Sequence, residues 1–130
     1  RHITRTEQLA ILYRRETDEE KKARTAAIQA ATKYATEVPF RTMKKAFEAF
    51  EVINAMVEIG NPNSVTDAGV GALCARSAVI GAGLNVKINA SSLKDETFKA
   101  QILAEAEEIE KAAIAEEQRL LVEVNRKING

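Results

Sequence analysis

The sequence has little of the material from which metal sites, disulfide frameworks and basic binding surfaces are built. It contains one cysteine and one histidine, which excludes an intramolecular disulfide and any site that needs several histidines. Lysine plus arginine and aspartate plus glutamate number 19 each, so nothing predicts a general surface for nucleic acid or anionic membranes. No secretory signal pattern is present, and the single Cys74 fits a reducing compartment. We therefore expect a cytoplasmic protein with no metal, no nucleic-acid partner and no membrane.

Tryptophan is absent, and glycine and proline are scarce, with six and two residues. The chain is instead rich in alanine, glutamate, lysine and isoleucine, which are good or tolerable helix residues. No stretch shows the apolar–polar alternation expected of a strand. At 130 residues and 45% hydrophobic content, the chain can bury one core but hardly two. The sequence predicts a single all-α domain over residues 1–130, folded as an antiparallel helical bundle.

Capping residues predict two helices in the first part of the chain. A weak helix is expected over Thr4–Arg15, where the apolar face is rough. Thr17 and Glu20 have the spacing of a capping box, which predicts the start of a better helix. The apolar residues of that helix recur at helical spacing: Ala23, Ala27, Ala30, Ala31 and Tyr34. Together with the helix that follows, it is expected to anchor the core.

Proline and glycine predict the next boundaries. Pro39 is expected to open a new helix or to kink the chain, ahead of a stripe rich in phenylalanine. Gly60 is expected to end that helix in a left-handed conformation. The last helix should begin near Ser92 or Asp95 and run toward Ile128.

The run from Ala68 to Leu93 is almost free of charge. A membrane span needs about 20 continuous apolar residues. This run does not provide them, because five polar or charged residues interrupt it: Arg76, Ser77, Asn85, Lys87 and Asn89. A helix that is apolar on nearly all sides is typical of one surrounded by protein, so we expect a buried central helix with Cys74 buried in it. Small residues form one stripe and larger ones another: Gly71, Ala75, Ala78 and Ala82, beside Val70, Leu73, Ile80 and Leu84. The small stripe would allow the close approach of a neighbouring helix or a second subunit.

Polar residues lie at both ends of this predicted helix: Asn61, Asn63, Ser64 and Asp67 at its start, and Asn85 and Asn89 near its end. The simplest interpretation of Ser64 and Asp67 is a capping pair. A functional interpretation is that the helix N-terminus receives an anionic group and that a buried Asp67 acts as acid or base. Asn85 and Asn89 share one face, where they either bridge two helices or contact a ligand.

Four segments together carry a resemblance: Gly60–Val70 (GNPNSVTDAGV), Gly81–Asn89 (GAGLNVKIN), Thr36–Phe40 (TEVPF) and Leu93–Phe98 (LKDETF). Over roughly residues 17–128 the chain resembles the cyclodeaminase/cyclohydrolase family of tetrahydrofolate enzymes. One member, formimidoyltetrahydrofolate cyclodeaminase, closes a folate ring with loss of ammonia. Another, a bacterial methenyltetrahydrofolate cyclohydrolase, opens the ring with water. The resemblance does not separate the two activities.

The resemblance implies an all-α homodimer that binds a tetrahydrofolate derivative, its substrate, in a cleft near the subunit interface. Both chemistries need proton transfer at a tetrahedral carbon and polar groups that orient the folate. Carried onto this sequence, the family's motif implies that Asp67 transfers the proton. It further implies substrate contacts by the remaining polar residues of the motif: Asn61, Asn63, Ser64, Asn85 and Asn89.

One family feature has no counterpart in this sequence. Members carry a Pro-Gly-Gly-Gly-Ser segment near the N-terminus, on a helix that helps form the folate site, whereas the glycines here are residues 60, 69, 71, 81, 83 and 130. The resemblance therefore covers the C-terminal part of the family's domain. Two alternatives stay open: a helical dimerisation module or inactive fragment without chemistry, and a coiled-coil-like partner helix supplied by the C-terminal segment.

Overall fold

The computed structural model describes residues 2–130, and within that range the chain forms helices and no strand. The helices are α1 (Arg5–Tyr13), α2 (Asp18–Ile59), α3 (Val65–Ala90) and α4 (Glu96–Ile128), with a 3-10 turn at Pro62–Ser64. The predicted all-α class is confirmed.

Helix α3 runs antiparallel to both of its neighbours. Its C-terminal end reaches the middle of α2, where the side-chain amide of Asn89 donates to the carbonyl of Ala35 at 2.8 Å. Two ion pairs join α3 to α4, Arg76 with Glu117 and Lys87 with Glu110, both at 3.0 Å. The later residue of α3 pairs with the earlier residue of α4, so these two helices are antiparallel. The largest fully buried side chains come from all three helices: Met43, Thr36, Val79, Val86 and Leu120. The core is therefore that of a three-helix, up-and-down bundle.

The predicted helix starts are confirmed where a side chain caps the first turn. The hydroxyl of Thr17 accepts from the backbone N–H of Glu20 at 3.1 Å, and the carboxylate of Asp95 accepts from the N–H of Phe98 at 3.1 Å. Thr4 caps α1 in the same way, so that helix is shorter than the predicted Thr4–Arg15. No residue of α1 is buried.

The expected break or new helix at Pro39 is wrong, because α2 continues through it for 42 residues. A proline inside a helix has no N–H for the carbonyl four residues earlier, here that of Ala35. Asn89 of α3 supplies the missing donor. The side chain of a neighbouring helix thus satisfies the carbonyl that the proline leaves without a partner, and the helix stays whole.

The N-terminal part of α2, residues 18–34, extends past the end of α3. Its apolar side chains, predicted to help anchor the core, are all exposed: Ala23, Ala27, Ala30, Ala31 and Tyr34. Gln29 joins this part to the rest of the bundle by hydrogen bonds. The side-chain amide of Gln29 donates to the carbonyl of Ser92 at 3.1 Å and accepts from the N–H of Lys94 at 2.9 Å. These two hydrogen bonds to the loop between α3 and α4 fix the base of the projecting segment.

The end of α2 differs from the prediction in backbone conformation. Gly60 has φ −76° and ψ 176°, which is extended, so the predicted left-handed cap is wrong. A side chain at this position would press on the carbonyl of Met56, which accepts from the N–H of Gly60 at 3.0 Å. The free carbonyl of Val57 is met by the ammonium of Lys127 at the end of α4. Glycine is therefore required here by close backbone approach.

Candidate functional site

Helix α3 is covered on one side only, so the expectation of a buried central helix is wrong. The buried side carries small residues, among them Ala68, Gly69, Ala72, Ala75, Ala82 and Gly83, with Val79 and Val86. The opposite side leaves large aliphatic residues in solvent, with these exposed fractions: Val70 57%, Leu73 45%, Leu84 60% and Ile88 67%. We call this the outer face of α3, and it also includes Cys74, Ser77 and Gly81.

One expectation about α3 changes with this finding: Cys74 is exposed on the outer face, so the expectation that it is buried is wrong. By length and composition alone, Pro62–Ala90 is long and apolar enough to cross a membrane, a test that the core helix of a soluble protein also passes, and 39% of its most apolar window is buried within the chain. The expected absence of a membrane span stays a prediction.

The turn before α3 and the first three residues of α3 together make up the segment Asn61–Asp67, which we call the Asn61–Asp67 turn. Backbone hydrogen bonds and the side-chain amide of Asn61 hold it. The side-chain oxygen of Asn61 accepts from the N–H of Asn63 at 2.9 Å, and the N–H of Ser64 donates to the carbonyl of Asn61 at 2.9 Å. Ser64 occupies the position before α3, but its side chain makes no capping bond, so the predicted capping pair with Asp67 is wrong. Asp67 lies exposed in the first turn. Burial, the condition for its predicted role as acid or base, is not met within one chain.

The two asparagines near the end of α3 have different surroundings. Asn89 is half-buried and bridges α3 to α2 through the carbonyl of Ala35, one of the two interpretations that the sequence left open. Asn85 is exposed, and its amide makes a single long bond, at 3.4 Å, to the carbonyl of Gly81 one turn earlier. The amide of Asn85 is therefore the one available to a ligand.

A groove of about 510 Å³ separates α2 from α3 at this end of the bundle. Its walls are mainly apolar, with two amides and a hydroxyl: Val38, Pro39, Thr42, Ala78, Ala82, Asn85 and Asn89. We call it the Asn85 groove. An open apolar slot with a few polar groups suits a flat heterocycle that carries hydrogen-bonding edges. The sequence did not identify the three α2 residues, although the proline signalled a carbonyl in need of a donor.

The candidate site residues form two groups that one chain does not bring together. Asp67 and Asn85 are 18 residues apart on the same straight helix. At a rise of 1.5 Å per residue this separation is about 27 Å. The Asn61–Asp67 turn and the Asn85 groove therefore lie at opposite ends of α3, too far apart for one small ligand.

Charged side chains between α3 and α4 form a third feature. Glu117 is 5% exposed, and both of its oxygens accept from one guanidinium nitrogen of Arg76, at 3.0 and 3.3 Å. One carboxylate oxygen of Glu110 is buried without a hydrogen-bond partner, while the other accepts from Lys87. Within residues 2–130, no three side chains of histidine, cysteine, aspartate or glutamate are grouped to hold a metal ion.

Comparison with known proteins gives consistent matches. A family model described as formiminotransferase-cyclodeaminase matches residues 8–108. The methenyltetrahydrofolate cyclohydrolase of Methylorubrum extorquens is 40% identical over 113 residues, which cover 87% of this chain and 54% of that protein. The formimidoyltransferase-cyclodeaminases of Dictyostelium discoideum and Gallus gallus are each 35% identical, over 75% and 65% of this chain but only 18% and 16% of their own lengths. The chain thus spans about half of the bacterial relative.

Proposed function

Because the chain belongs to the formiminotransferase-cyclodeaminase family, we propose that it acts as part of a methenyltetrahydrofolate cyclohydrolase, an enzyme that opens the folate ring with water. The observation that carries this choice is the 40% identity to the Methylorubrum extorquens cyclohydrolase over 87% of the chain. The reaction acts on a C–N bond of a one-carbon unit, with a tetrahydrofolate derivative as substrate.

The chemistry needs a group that moves a proton in each direction. Water adds to the methenyl carbon and loses a proton, which gives a tetrahedral carbon bonded to both folate nitrogens. The hydroxyl on this carbon then loses its proton as its oxygen becomes a carbonyl, the bond to one nitrogen breaks and that nitrogen takes up a proton. The carbon is left as a formyl group on the other nitrogen, and one proton is released overall. A carboxylate within reach can accept the first proton and return it. Asp67 is our candidate for this group; because it lies about 27 Å along α3 from the Asn85 groove of its own chain, it would act on a ring held in the groove of a partner protomer.

The Asn85 groove is our candidate for holding the heterocycle. Its apolar walls would contact the flat faces of the ring, and the free amide of Asn85 would meet the ring edge. Asn61, Asn63 and Ser64 would orient the part of the substrate nearest Asp67. We propose a homodimer, because the outer face of α3 presents large aliphatic residues that are 45–67% exposed among residues 2–130.

The test is the decay of methenyltetrahydrofolate absorbance in the presence of the purified chain, compared with spontaneous hydrolysis. We expect acceleration in the native chain and none in Asp67→Asn, which removes the proton acceptor and keeps the shape. Circular dichroism establishes that both proteins are folded. A folded native chain without any acceleration would contradict the proposal and favour a structural module.

A second candidate activity is the cyclodeaminase reaction, favoured by the family description and by the formimidoyltransferase-cyclodeaminase relatives. There a folate nitrogen attacks the formimino carbon and ammonia leaves, so the same carbon and the same proton transfers are involved. Ammonia release from formimino-tetrahydrofolate, measured with the same two proteins, separates the activities. Release of ammonia without methenyl hydrolysis would favour this second candidate.

A further inference from the structure

We propose that Asn129 is a site of spontaneous chemical modification, at which the side-chain amide is lost as ammonia and a carboxylate takes its place. The reacting groups are the amide of Asn129, the backbone nitrogen of Gly130 and one molecule of water. The inference is independent of the proposed function, because it follows from the surroundings of the asparagines of this chain.

The reaction is an attack of the chain on itself. The backbone nitrogen that follows an asparagine forms a bond to the side-chain amide carbon and gives up its proton. The bond from that carbon to the amide nitrogen breaks, and ammonia leaves a five-membered cyclic imide behind. Water then opens the ring at either of its two carbonyls, which gives aspartate or isoaspartate. The first step needs a following N–H without a hydrogen-bond partner, and a backbone that can rotate until this nitrogen reaches the amide carbon.

Four of the seven asparagines lie inside α-helices, where this attack is blocked: Asn54, Asn85, Asn89 and Asn125. The N–H that follows each of them belongs to the same helix and is directed along the helix axis toward the carbonyl four residues earlier. The side chains of Asn54, Asn89 and Asn125 are held in addition by hydrogen bonds of 2.7–2.9 Å. Helical structure therefore keeps the nitrogen away from the amide carbon at all four positions.

Two asparagines lie in the turn before α3 and are blocked in other ways. Asn61 is followed by Pro62, whose nitrogen carries no hydrogen to give up. Asn63 is followed by Ser64, whose N–H donates to the carbonyl of Asn61 at 2.9 Å. Neither position offers a free N–H.

Asn129 meets both requirements. It follows the last residue of α4, and its own N–H donates to the carbonyl of Asn125 at 3.0 Å, which is the final bond of that helix. Asn129 and Gly130 are exposed, and within residues 2–130 neither the Asn129 amide nor the Gly130 N–H takes part in a hydrogen bond. Glycine also has no side chain to hinder the attack, and its backbone rotates most freely. The fold thus leaves one asparagine of seven open to the reaction.

The new carboxylate would have a partner on the helix. Arg126 lies three residues before position 129 and three residues after Glu123, so it is a neighbour of both. Its exposed guanidinium donates two bonds to Glu123, at 2.9 and 3.1 Å. A negative charge at the C-terminus of a helix is opposed by the helix dipole, and the charge of Arg126 offsets this effect. We therefore expect the modified chain to keep its fold and to differ in charge.

Peptide mapping of the native chain after storage in mildly alkaline buffer tests the site. The peptide that contains Asn129 should gain the mass difference between an NH2 and an OH group and separate into two species, one with aspartate and one with isoaspartate. The other six asparagines should stay unmodified while the chain is folded, and all reachable ones should react when it is unfolded in urea. Modification of the folded chain at Asn61, Asn63 or a helical asparagine before Asn129 would overturn the proposal, as would an unmodified Asn129.

Two variants separate the effect of the fold from that of the local sequence. Gly130→Pro removes the attacking N–H and should abolish the reaction at Asn129. Ala55→Gly places a glycine after Asn54 within α2, at an exposed position, and is the matched control. In the folded Ala55→Gly chain Asn54 should stay intact, and in urea it should react as fast as Asn129. Equal rates at the two positions in the folded chain would show that sequence alone decides, and would overturn the structural argument.

Asn129→Asp stands for the aspartate product and tests whether the fold tolerates it. The formal net charge of the native chain is zero, so the modified chain should focus at a lower pH than the native one and together with Asn129→Asp. Circular dichroism should give the same helical content for both proteins. Loss of helical content in Asn129→Asp would overturn the role assigned to Arg126.

Discussion

The two faces of α3 are both apolar, but the size of their side chains is the reverse of what burial favours. The inner face carries alanine, glycine and valine, which let α2 and α4 pack close to the α3 backbone. The outer face carries valine, leucine and isoleucine that stay in water. Burial of one such large side chain contributes about 1.5–3 kcal/mol, and burial of alanine contributes much less. Part of the hydrophobic free energy available to α3 is therefore not used within one chain.

This difference shows what each face has to do. Small residues inside fix the distance between three helices, so a change there alters packing. Large residues outside are about half exposed and contribute less to the stability of the single chain, so a change there should alter mainly association. The following predictions test this division, in order of decreasing expected effect.

Arg76 lies at the border between the two faces, and it should give the largest effect. Arg76→Leu leaves Glu117 buried without its partner. The guanidinium is 39% exposed, so the loss of unfolding free energy is expected at about 2–3 kcal/mol rather than the full value for a buried pair. Urea denaturation measures it. The double variant Arg76→Leu/Glu117→Leu should recover most of the loss, and an unchanged loss would contradict an electrostatic cause.

A matched pair of valines compares the faces directly. Val79→Ala on the inner face removes two methyl groups from a fully buried site and should lower the unfolding free energy by about 2 kcal/mol. Val70→Ala on the outer face, where the side chain is 57% exposed, should change it by less than about 0.5 kcal/mol. Both are measured by urea denaturation of the monomer. Equal effects would remove the distinction between the two faces.

The bond between Asn89 and Ala35 should give the next effect. Asn89→Leu leaves the carbonyl of Ala35, an exposed residue, without this donor and should lower the unfolding free energy by about 0.5–1.5 kcal/mol, the net value of one hydrogen bond. Pro39→Ala in the same chain restores a backbone N–H for that carbonyl and should remove most of the penalty. Asn85→Leu is the control and should be close to neutral, because the side-chain bond of Asn85 stays within α3. Urea denaturation of the native chain, the single variants Asn89→Leu and Pro39→Ala and their combination forms a double-mutant cycle.

Glycines provide a smaller test of the same division. Gly81→Ala should raise the unfolding free energy of the monomer by about 0.5–1 kcal/mol, since nothing opposes the new methyl group. Gly69→Ala on the inner face should gain less or nothing, because the methyl group would meet a methyl of Val124 at 3.3 Å. The same Gly81→Ala protein should associate more weakly. Unchanged association would count against the close approach of a second helix at this point.

The exposed start of α2 contacts neither face of α3. Local charge alone is expected to set the titration of its carboxyl groups. Two hydrogen bonds from the Arg14 guanidinium, with a further one from Thr17, lower the pKa of Glu20 to about 2. A carboxyl whose pKa is lower in the folded state contributes stability above its unfolded pKa and loses it as the pH falls toward 2. Carboxyl titration by NMR should give this low value. In Arg14→Ala the midpoint should rise toward 4.5, and a native midpoint already there would contradict the contact.

Local chemistry explains which parts of the fold could be predicted. The starts of α2 and α4 follow from Thr17 and Asp95, whose side chains bond to N–H groups three residues away. The continuity of α2 could not be predicted in this way, because the donor for Ala35 comes from a residue 54 positions later. Family membership was predicted from the segments around Asn61 and Asn85, and the comparisons confirm it.

The candidate site residues stay a prediction. The polar residues of the motif were named because asparagine and aspartate are conspicuous in an apolar run. The groove beside Asn85 was not predicted, because its α2 wall consists of Val38, Pro39 and Thr42, whose spacing does not indicate a ligand site. The exposure of Asp67 was also missed, since burial depends on which helices cover a face and composition does not state this.

The bond between Asn89 and Ala35 also has a consequence for motion. The donor belongs to α3 and not to α2 itself. The hydrogen bonding of the α2 backbone just before Pro39 is therefore complete only while α3 is packed against α2. Openings that lift the end of α3 should release residues 18–34 together with it, while the part of α2 around Phe50 stays closed. Amide hydrogens of the projecting segment should then exchange with solvent at a rate set by α3. In Asn89→Leu the exchange of these amide hydrogens should accelerate more than that of the amides around Phe50.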